Sequence, residues 1–207
     1  DIEDQIHPLL FAEVSLAFDA QGGLSPTQPG KFNVIMPTVM DYNRKALSWQ
    51  PSANTSTIFQ ENMLHGSGLF LRATWESGIR YSPLMMYGWQ DWDFWIKLEA
   101  KIGLTVMLVE KPLLKYNLSH HRSGFCHINR EVCIALLYLN NPCVYKKENV
   151  FMSFKILREF VSGRNDAIVS WDMIGREAAL GNAFARLMSD TRDAGTPTKK
   201  PFAIFYA

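Results

Sequence analysis

The chain has little cysteine, no long apolar run and almost no net charge, and each shortage excludes something. Its three cysteines, Cys126, Cys133 and Cys143, are odd in number and form no C-x-x-C pair. No disulfide framework is expected, and the pattern fits a reducing, cytoplasmic compartment. No stretch reaches the roughly 18 consecutive apolar residues of a membrane span. A net charge of +1 gives no electrostatic footprint for nucleic acid or an anionic membrane. Neither a G-x-x-x-x-G-K nor a G-x-G-x-x-G loop is present to cradle phosphates. No internal repeat or low-complexity segment is visible. No secretory signal is visible either, in a sequence whose first residue is Asp1. Asn54-Thr55-Ser56 and Asn117-Leu118-Ser119 match the glycosylation pattern, but two such matches arise readily by chance and do not decide localisation.

What is present is apolar and aromatic. Hydrophobic residues make up 47% and aromatics 13% of 207 residues, which suits one domain with a sizeable core and not a disordered chain. The richest stretch is Tyr87-Gly88-Trp89-Gln90-Asp91-Trp92-Asp93-Phe94-Trp95-Ile96-Lys97-Leu98, with three of the six tryptophans. Trp92 with Trp95, and Phe94 with Leu98, have the i, i+3 and i, i+4 spacings of a helix face. A turn running into a helix is expected, with Asp91 and Asp93 in the first turn, where the helix dipole favours negative charge. A carboxylate there, beside large aromatic faces, suits a base that takes a proton from a sugar hydroxyl. The competing reading is an acid that stabilises a helix start above core tryptophans. These residues alone favour the competing reading.

Three blocks shift that balance. Gly88-Trp89-Gln90-Asp91-Trp92-Asp93-Phe94-Trp95 resembles the "G-Y-E-D-W-D-x-W" segment of family 2 glycosyltransferases of the GT-A type. Upstream, Asn62-Met63-Leu64-His65-Gly66-Ser67-Gly68-Leu69-Phe70-Leu71-Arg72, then Trp75-Glu76-Ser77-Gly78, is similar to that family's "N-x-x-x-G-S-x-L-F-x-R…(F/W)-E-x-x-G". Downstream, Gly103-Leu104-Thr105-Val106, Pro112 to Tyr116, and His120, His121 and Ser123 resemble "G-x-x-V…x-P-L-x-x-Y-R-x-H-x-x-S". The order and spacing also match. The resemblance covers residues 1–125 and implies that Asp91 is the general base. Gln90 stands where the family has glutamate, and Asn117 where it has arginine.

The chain opens Asp1-Ile2-Glu3-Asp4-Gln5-Ile6-His7-Pro8. Read alone, this is an acidic start before a helix carrying Leu10, Val14 and Ala17. Beside the family it is similar to "D-A-D-D-x-x-x-P". Asp1, Glu3 and Asp4 would then bind the donor nucleotide, and Asp1 and Glu3 a divalent metal, Mn²⁺ or Mg²⁺, with His121 (or His120) as a further ligand. Glutamate for aspartate keeps a hard oxygen donor but moves it outward by a methylene. A solvated His-His pair is the plain alternative at 120–121, and Arg122 could instead meet a diphosphate. The placement implies that the strand–helix units holding the nucleotide base lie before Asp1, so the chain is expected to be the C-terminal portion of such a domain.

The remaining elements follow from pattern. Phe32 to Met36 is expected as a short strand, and Leu69-Phe70-Leu71 as another. Leu104 to Val109 is expected as a buried strand ended by Glu110-Lys111-Pro112, with a further strand from Leu113 to Leu118. Three apolar stripes predict helices: Ile128 to Leu139, Val150 to Val161, and Trp171 to Met188. Residues 126–190 are therefore expected as a helical extension, and 191–207 as a polar linker with an apolar tail. Cys126, His127 and Cys133 have no zinc spacing.

The expected fold is an α/β, GT-A-like mixed sheet flanked by helices. The expected activity is transfer of a sugar from a nucleotide-diphosphate donor to an acceptor hydroxyl, inverting and metal-dependent. The acceptor is a carbohydrate, a lipid-linked or a protein acceptor, with Trp89 or Trp92 stacking on it. Core packing is the commoner role for such tryptophans, and Trp95 is expected there. The Q-x-x-R-W motif of processive synthases is absent, which favours transfer of single sugars. The enzyme would work in the cytoplasm, or at the cytoplasmic face of a membrane. The alternative is an inactive transferase-like module that binds a sugar or a protein. A helical interaction protein with a coincidental tryptophan motif is a third reading.

Overall fold

In a computed structural model, residues 5–20, 22, 33–41, 51–116, 129–164 and 167–176 are described. The chain divides into two compact units. One comprises Asp1–Tyr81 and Gln90–Gly124, the other Ser82–Trp89 and Phe125–Ala207.

The first unit is mixed α/β. Its four-stranded sheet contains β1 (Gln5–Ile6), β2 (Val34–Asp41), β3 (Leu69–Phe70) and β4 (Val106–Tyr116), in the order β1-β4-β2-β3. β2 and β4 run parallel, while β1 on β4 and β3 on β2 are antiparallel. Alternation along the strands gives the sheet two apolar faces. Ile35, Val39, Met107, Val109, Leu113 and Leu114 face helix α1 (Leu10–Ala20), which lays Leu10, Val14 and Ala17 on them. His7 starts that helix: its Nδ1 accepts the Leu9 N–H at 3.1 Å and its carbonyl the Leu10 N–H at 2.9 Å.

The opposite face takes helix α3 (Gln90–Ile102). The short helix α2 (Arg72–Glu76) precedes it in the chain. The Phe70 ring, one residue from the α1-facing Leu69, lies 4.8 Å from Phe94 and 6.2 Å from Trp95. The fit is close enough to require glycine at 68. A Cβ there would come within 2.6 Å of Met36 Cε and 3.0 Å of the Trp95 ring. Trp95 is fully buried, as its place in the helical stripe predicts.

Two expectations need correction. Glu110-Lys111-Pro112 does not end a strand, and no second strand begins at Leu113, because β4 runs unbroken from Val106 to Tyr116. Its register on β2 shifts instead: Pro37 faces Val109, but Thr38 faces Pro112. A bulge absorbs the extra residues and leaves Glu110 and Lys111 exposed. Lys111 Nζ reaches Glu13 of α1 at 2.6 Å. The same irregularity explains how Pro37, which cannot donate to a ladder, sits within a strand paired on both sides. β2 also runs five residues past Met36, the end expected from its apolar run.

The second unit is helical. It contains α4 (Arg130–Asn140), α5 (Lys147–Gly163), a 3-10 turn at Pro83–Tyr87, and helical residues 171–176. Val132, Ala135, Leu136 and Leu139 of the predicted stripe are buried. Tyr87 ties the unit together. Its ring meets Phe160 edge-on at 5.6 Å, and its hydroxyl accepts the Ile168 N–H at 2.6 Å and the Val169 N–H at 3.2 Å. Among the described residues no helix is long and apolar enough to cross a membrane.

Candidate functional site around Asp91

The approach to α3 is an unusual piece of backbone. Gly88 has φ 127°, and Trp89, a bulky residue, has φ 58°. A non-glycine side chain in that region is costly, and such costs concentrate where function fixes the chain. Trp89 is half-buried.

Two residues on, Asp91 is half-buried at the start of α3. Its Oδ1 accepts the Trp92 N–H at 2.8 Å, and its Oδ2 accepts the Asn62 side-chain amide at 3.3 Å. Asn62 opens the upstream sequence block and Asp91 belongs to the tryptophan block, so residues 29 apart in sequence meet here. Gly66 is close as well, since a Cβ there would sit 3.5 Å from the Asp91 Cβ. Burial raises the pKa of Asp91, and the hydrogen bonds from Trp92 and Asn62 oppose this only in part. Among the described residues no cation pairs with it.

His65 shapes the neighbouring loop. It is 4% exposed, Nε2 lies 2.7 Å from the Pro37 carbonyl, and Nδ1 accepts the Ser67 N–H at 3.2 Å. A ring that accepts at Nδ1 and donates at Nε2 is neutral. Burial lowers its pKa, and the bond to Pro37 opposes that shift. His65 is therefore a strut that fixes the Gly66 backbone beside Asp91. Asn62 is pinned too, because its Oδ1 accepts the Leu64 N–H at 3.3 Å.

Asp93 has a different role. It is wholly buried, and its Oδ2 takes the Lys97 ammonium at 2.6 Å. Lys97 also donates to the Arg80 carbonyl at 3.4 Å. This pair lies inside the helix packing and ties Arg80 to α3.

The expected acceptor platform changes. Trp92 is 6% exposed, and its Nε1–H is spent on the Ile58 carbonyl at 2.6 Å. With its face packed and its donor used, Trp92 is a core residue and offers no stacking surface. Other aromatics of this unit are open, among them Tyr81, 40% exposed, and Trp75, 37% exposed, while Phe11 and Phe18 are exposed on α1. Tyr81 packs on Phe94 at 5.0 Å. Phe94 follows Asp91 by three residues on α3 and so shares its side of the helix. The Asp91 charge and, more strongly, burial both raise the Tyr81 pKa, so the hydroxyl is protonated at neutral pH.

Asp1, Glu3, Asp4, His120 and His121 lie outside the described residues. So do Arg122 and Asn117. β1 pairs Gln5 with Lys115 and Ile6 with Leu114. Among the described residues no group of three or more His, Cys, Asp and Glu side chains is placed to hold a metal ion.

Asn62 and Tyr81 were missed as individual site residues. Asn62 carried a signal, as the first residue of a recognised block. Tyr81 carried none, because its proximity to Asp91 depends on how the connector after α2 folds back on α3. Comparison with family models, with curated proteins and with solved structures returns no match to this chain.

Proposed function

We propose that the chain carries the acceptor side of a glycosyltransferase active site, with Asp91 as the base. The observation that supports this reading most is the meeting of Asn62 and Asp91 beside the Gly66 backbone. A carboxylate with no cation partner among the described residues, held by neutral donors and raised in pKa by burial, suits proton abstraction better than structural support. A carboxylate needed only for helix stability gains nothing from desolvation. The acids in the first turn of α3 also sit where the helix dipole favours negative charge.

In this reading Asp91 accepts the proton of an acceptor hydroxyl. The oxygen attacks the anomeric carbon of a nucleotide-diphosphate sugar from the side opposite the leaving group. The nucleotide diphosphate departs with the electrons of the broken bond, and the configuration inverts. Asn62 orients the carboxylate, and His65 holds the loop that carries Gly66. A divalent metal would neutralise the leaving diphosphate, and its proposed ligands are Asp1, Glu3 and His121.

The test is binding and transfer by the native-length protein. Nucleotide diphosphates are titrated with and without Mn²⁺ against wild type, Asp91→Asn and Glu3→Ala, and sugar transfer is then assayed. Metal-dependent binding lost in Glu3→Ala but kept in Asp91→Asn, with transfer lost in both, supports the reading. Binding without any transfer by wild type would instead support an inactive sugar-binding module, for which Gln90 in place of glutamate is the first suspect. If no nucleotide diphosphate binds, the transferase reading falls.

A further inference from the structure

Tyr81, on which the Asp91 charge acts, and its neighbour Trp75 are exposed aromatics with no role in the transfer step itself. Surface tryptophan and tyrosine rings are common singly, but these two are paired and supported from beneath. Tyr81 and Trp75 lie with ring centroids 6.1 Å apart, tilted by 56°. Phe94, fully buried, backs Tyr81 at 5.0 Å and 31°. The Arg80 guanidinium stacks over Trp75, its carbon 4.2 Å from the ring centroid, and donates to the Ile79 carbonyl at 2.9 Å. The Arg80 carbonyl is in turn bound by Lys97, the partner of buried Asp93. Each ring is therefore held by a neighbouring side chain and stays partly exposed, Tyr81 at 40% and Trp75 at 37%.

We infer that Tyr81 and Trp75 form the platform on which the acceptor stacks, and that the acceptor is a pyranose sugar. The chemistry of the surround is what such a ring needs. One face of a pyranose is a sheet of C–H bonds, which an aromatic face covers. Its equatorial hydroxyls need acceptors and donors; the Arg80 guanidinium over Trp75 is a donor, and Asp91, whose charge acts on Tyr81, is an acceptor. A lipid chain would leave those polar groups unsatisfied, and a serine or threonine side chain is too small to cover two rings. This inference rests on the transferase reading for the direction of the reaction, but not for the binding itself. It moves the platform from Trp92, which is packed away, to Tyr81 and Trp75.

Saturation-transfer NMR on the full chain tests it, with the methyl pyranosides of glucose, galactose and N-acetylglucosamine as probes. Wild type should transfer saturation to the ring C–H protons of at least one probe. Tyr81→Phe should keep that binding, because it keeps the face. Tyr81→Ala and Trp75→Ala should each weaken it by about tenfold, the scale of a lost aromatic contact. Two variants at exposed positions, checked by circular dichroism, guard against a folding artefact. No binding by any probe, or binding that survives Tyr81→Ala combined with Trp75→Ala, overturns the proposal. The two readings fail separately. Pyranoside binding that depends on Tyr81 without any sugar transfer sinks the transferase and leaves the platform standing. Transfer whose acceptor KM ignores Tyr81→Ala sinks the platform and leaves the transferase.

Discussion

The two sides of the first turn of α3 treat a carboxylate in opposite ways. On one side Asp93 is wholly buried and paired with Lys97 at 2.6 Å. On the other, two residues earlier, Asp91 is half-buried and held by an amide and a backbone N–H. The first arrangement compensates a buried charge, as packing demands. The second leaves the charge partly uncompensated, because desolvation by burial raises the Asp91 pKa more than its hydrogen bonds lower it. A sequence that reads D-W-D shows two equivalent acids, yet the fold makes one a structural tie and leaves the other chemically available. The tryptophans of this stretch differ too, with Trp92 and Trp95 of α3 in the core and Trp89, just before the helix, in a strained backbone conformation.

The contrast breaks first at Asp91. Asp91→Asn should lower transfer by about 10²–10⁴-fold, the usual worth of a positioned base. It should not lower stability. A group whose folded pKa is raised stabilises the fold most below its unfolded pKa, near 3.8 for aspartate, and that contribution is lost as pH rises through the folded value. The variant should therefore match or exceed wild type in unfolding free energy at pH 7, with the gap closing towards pH 4. Denaturant titrations across that range check the sign.

Asp93 should show the reverse. Asp93→Ala strands the Lys97 ammonium in the packing and should cost about 3 kcal/mol of stability. Asp93→Leu with Lys97→Met should recover much of it, because two apolar side chains of similar size can replace such a pair. If Asp93→Ala is as harmless to stability as Asp91→Asn, the distinction between the two acids is wrong.

His65 sharpens the picture at a smaller scale. Its folded pKa is depressed, so its contribution is present above the ordinary 6.5 and is lost as pH falls through the folded value. Protonation at Nδ1 would also break the bond from the Ser67 N–H. His65→Gln should cost about 1–2 kcal/mol at pH 7.5 and flatten the fall in stability below the ordinary 6.5. The smallest effect belongs to Asn62→Ala. Losing a 3.3 Å bond that favours the charged carboxylate should push the Asp91 pKa up further, seen as an upward shift in the acid limb of the rate profile. The rate at pH 7 should fall by less than about fivefold.

Helices α1, α3, α4 and α5 were legible in the sequence because apolar stripes at helical spacing need only local information, while most of the stripe expected from Trp171 to Met188, and all of 191–207, lie outside the described residues. Leu10, Val14 and Ala17 on α1, and Val132, Ala135, Leu136 and Leu139 on α4, lie where the spacing put them. Strand limits were less so. Glu110-Lys111-Pro112 reads as a stop, and only the pairing of β4 with β2 turns it into a bulge. Within the candidate site, the acidity and aromaticity around Asp91 could be read directly. The division of labour between Asp91 and Asp93 was half legible: Lys97 stands four residues after Asp93 on the same helix, but the contact of Asp91 with Asn62, 29 residues away, depends on the fold. Tyr81 and Trp75 lay in a stretch read as a connector, and their exposure is a property of the folded surface alone.

The most direct test of the contrast is the titration of the Asp91 side-chain carboxyl, followed by its carbon chemical shift in the full-length protein, with Asp91→Asn identifying the resonance. A midpoint clearly above 3.8 is the expected result, and would mark Asp91 as the uncompensated acid of the turn. A midpoint at or below 3.8 would contradict the account, because Asp91 would then be as well stabilised in its charged form as any helix-start acid.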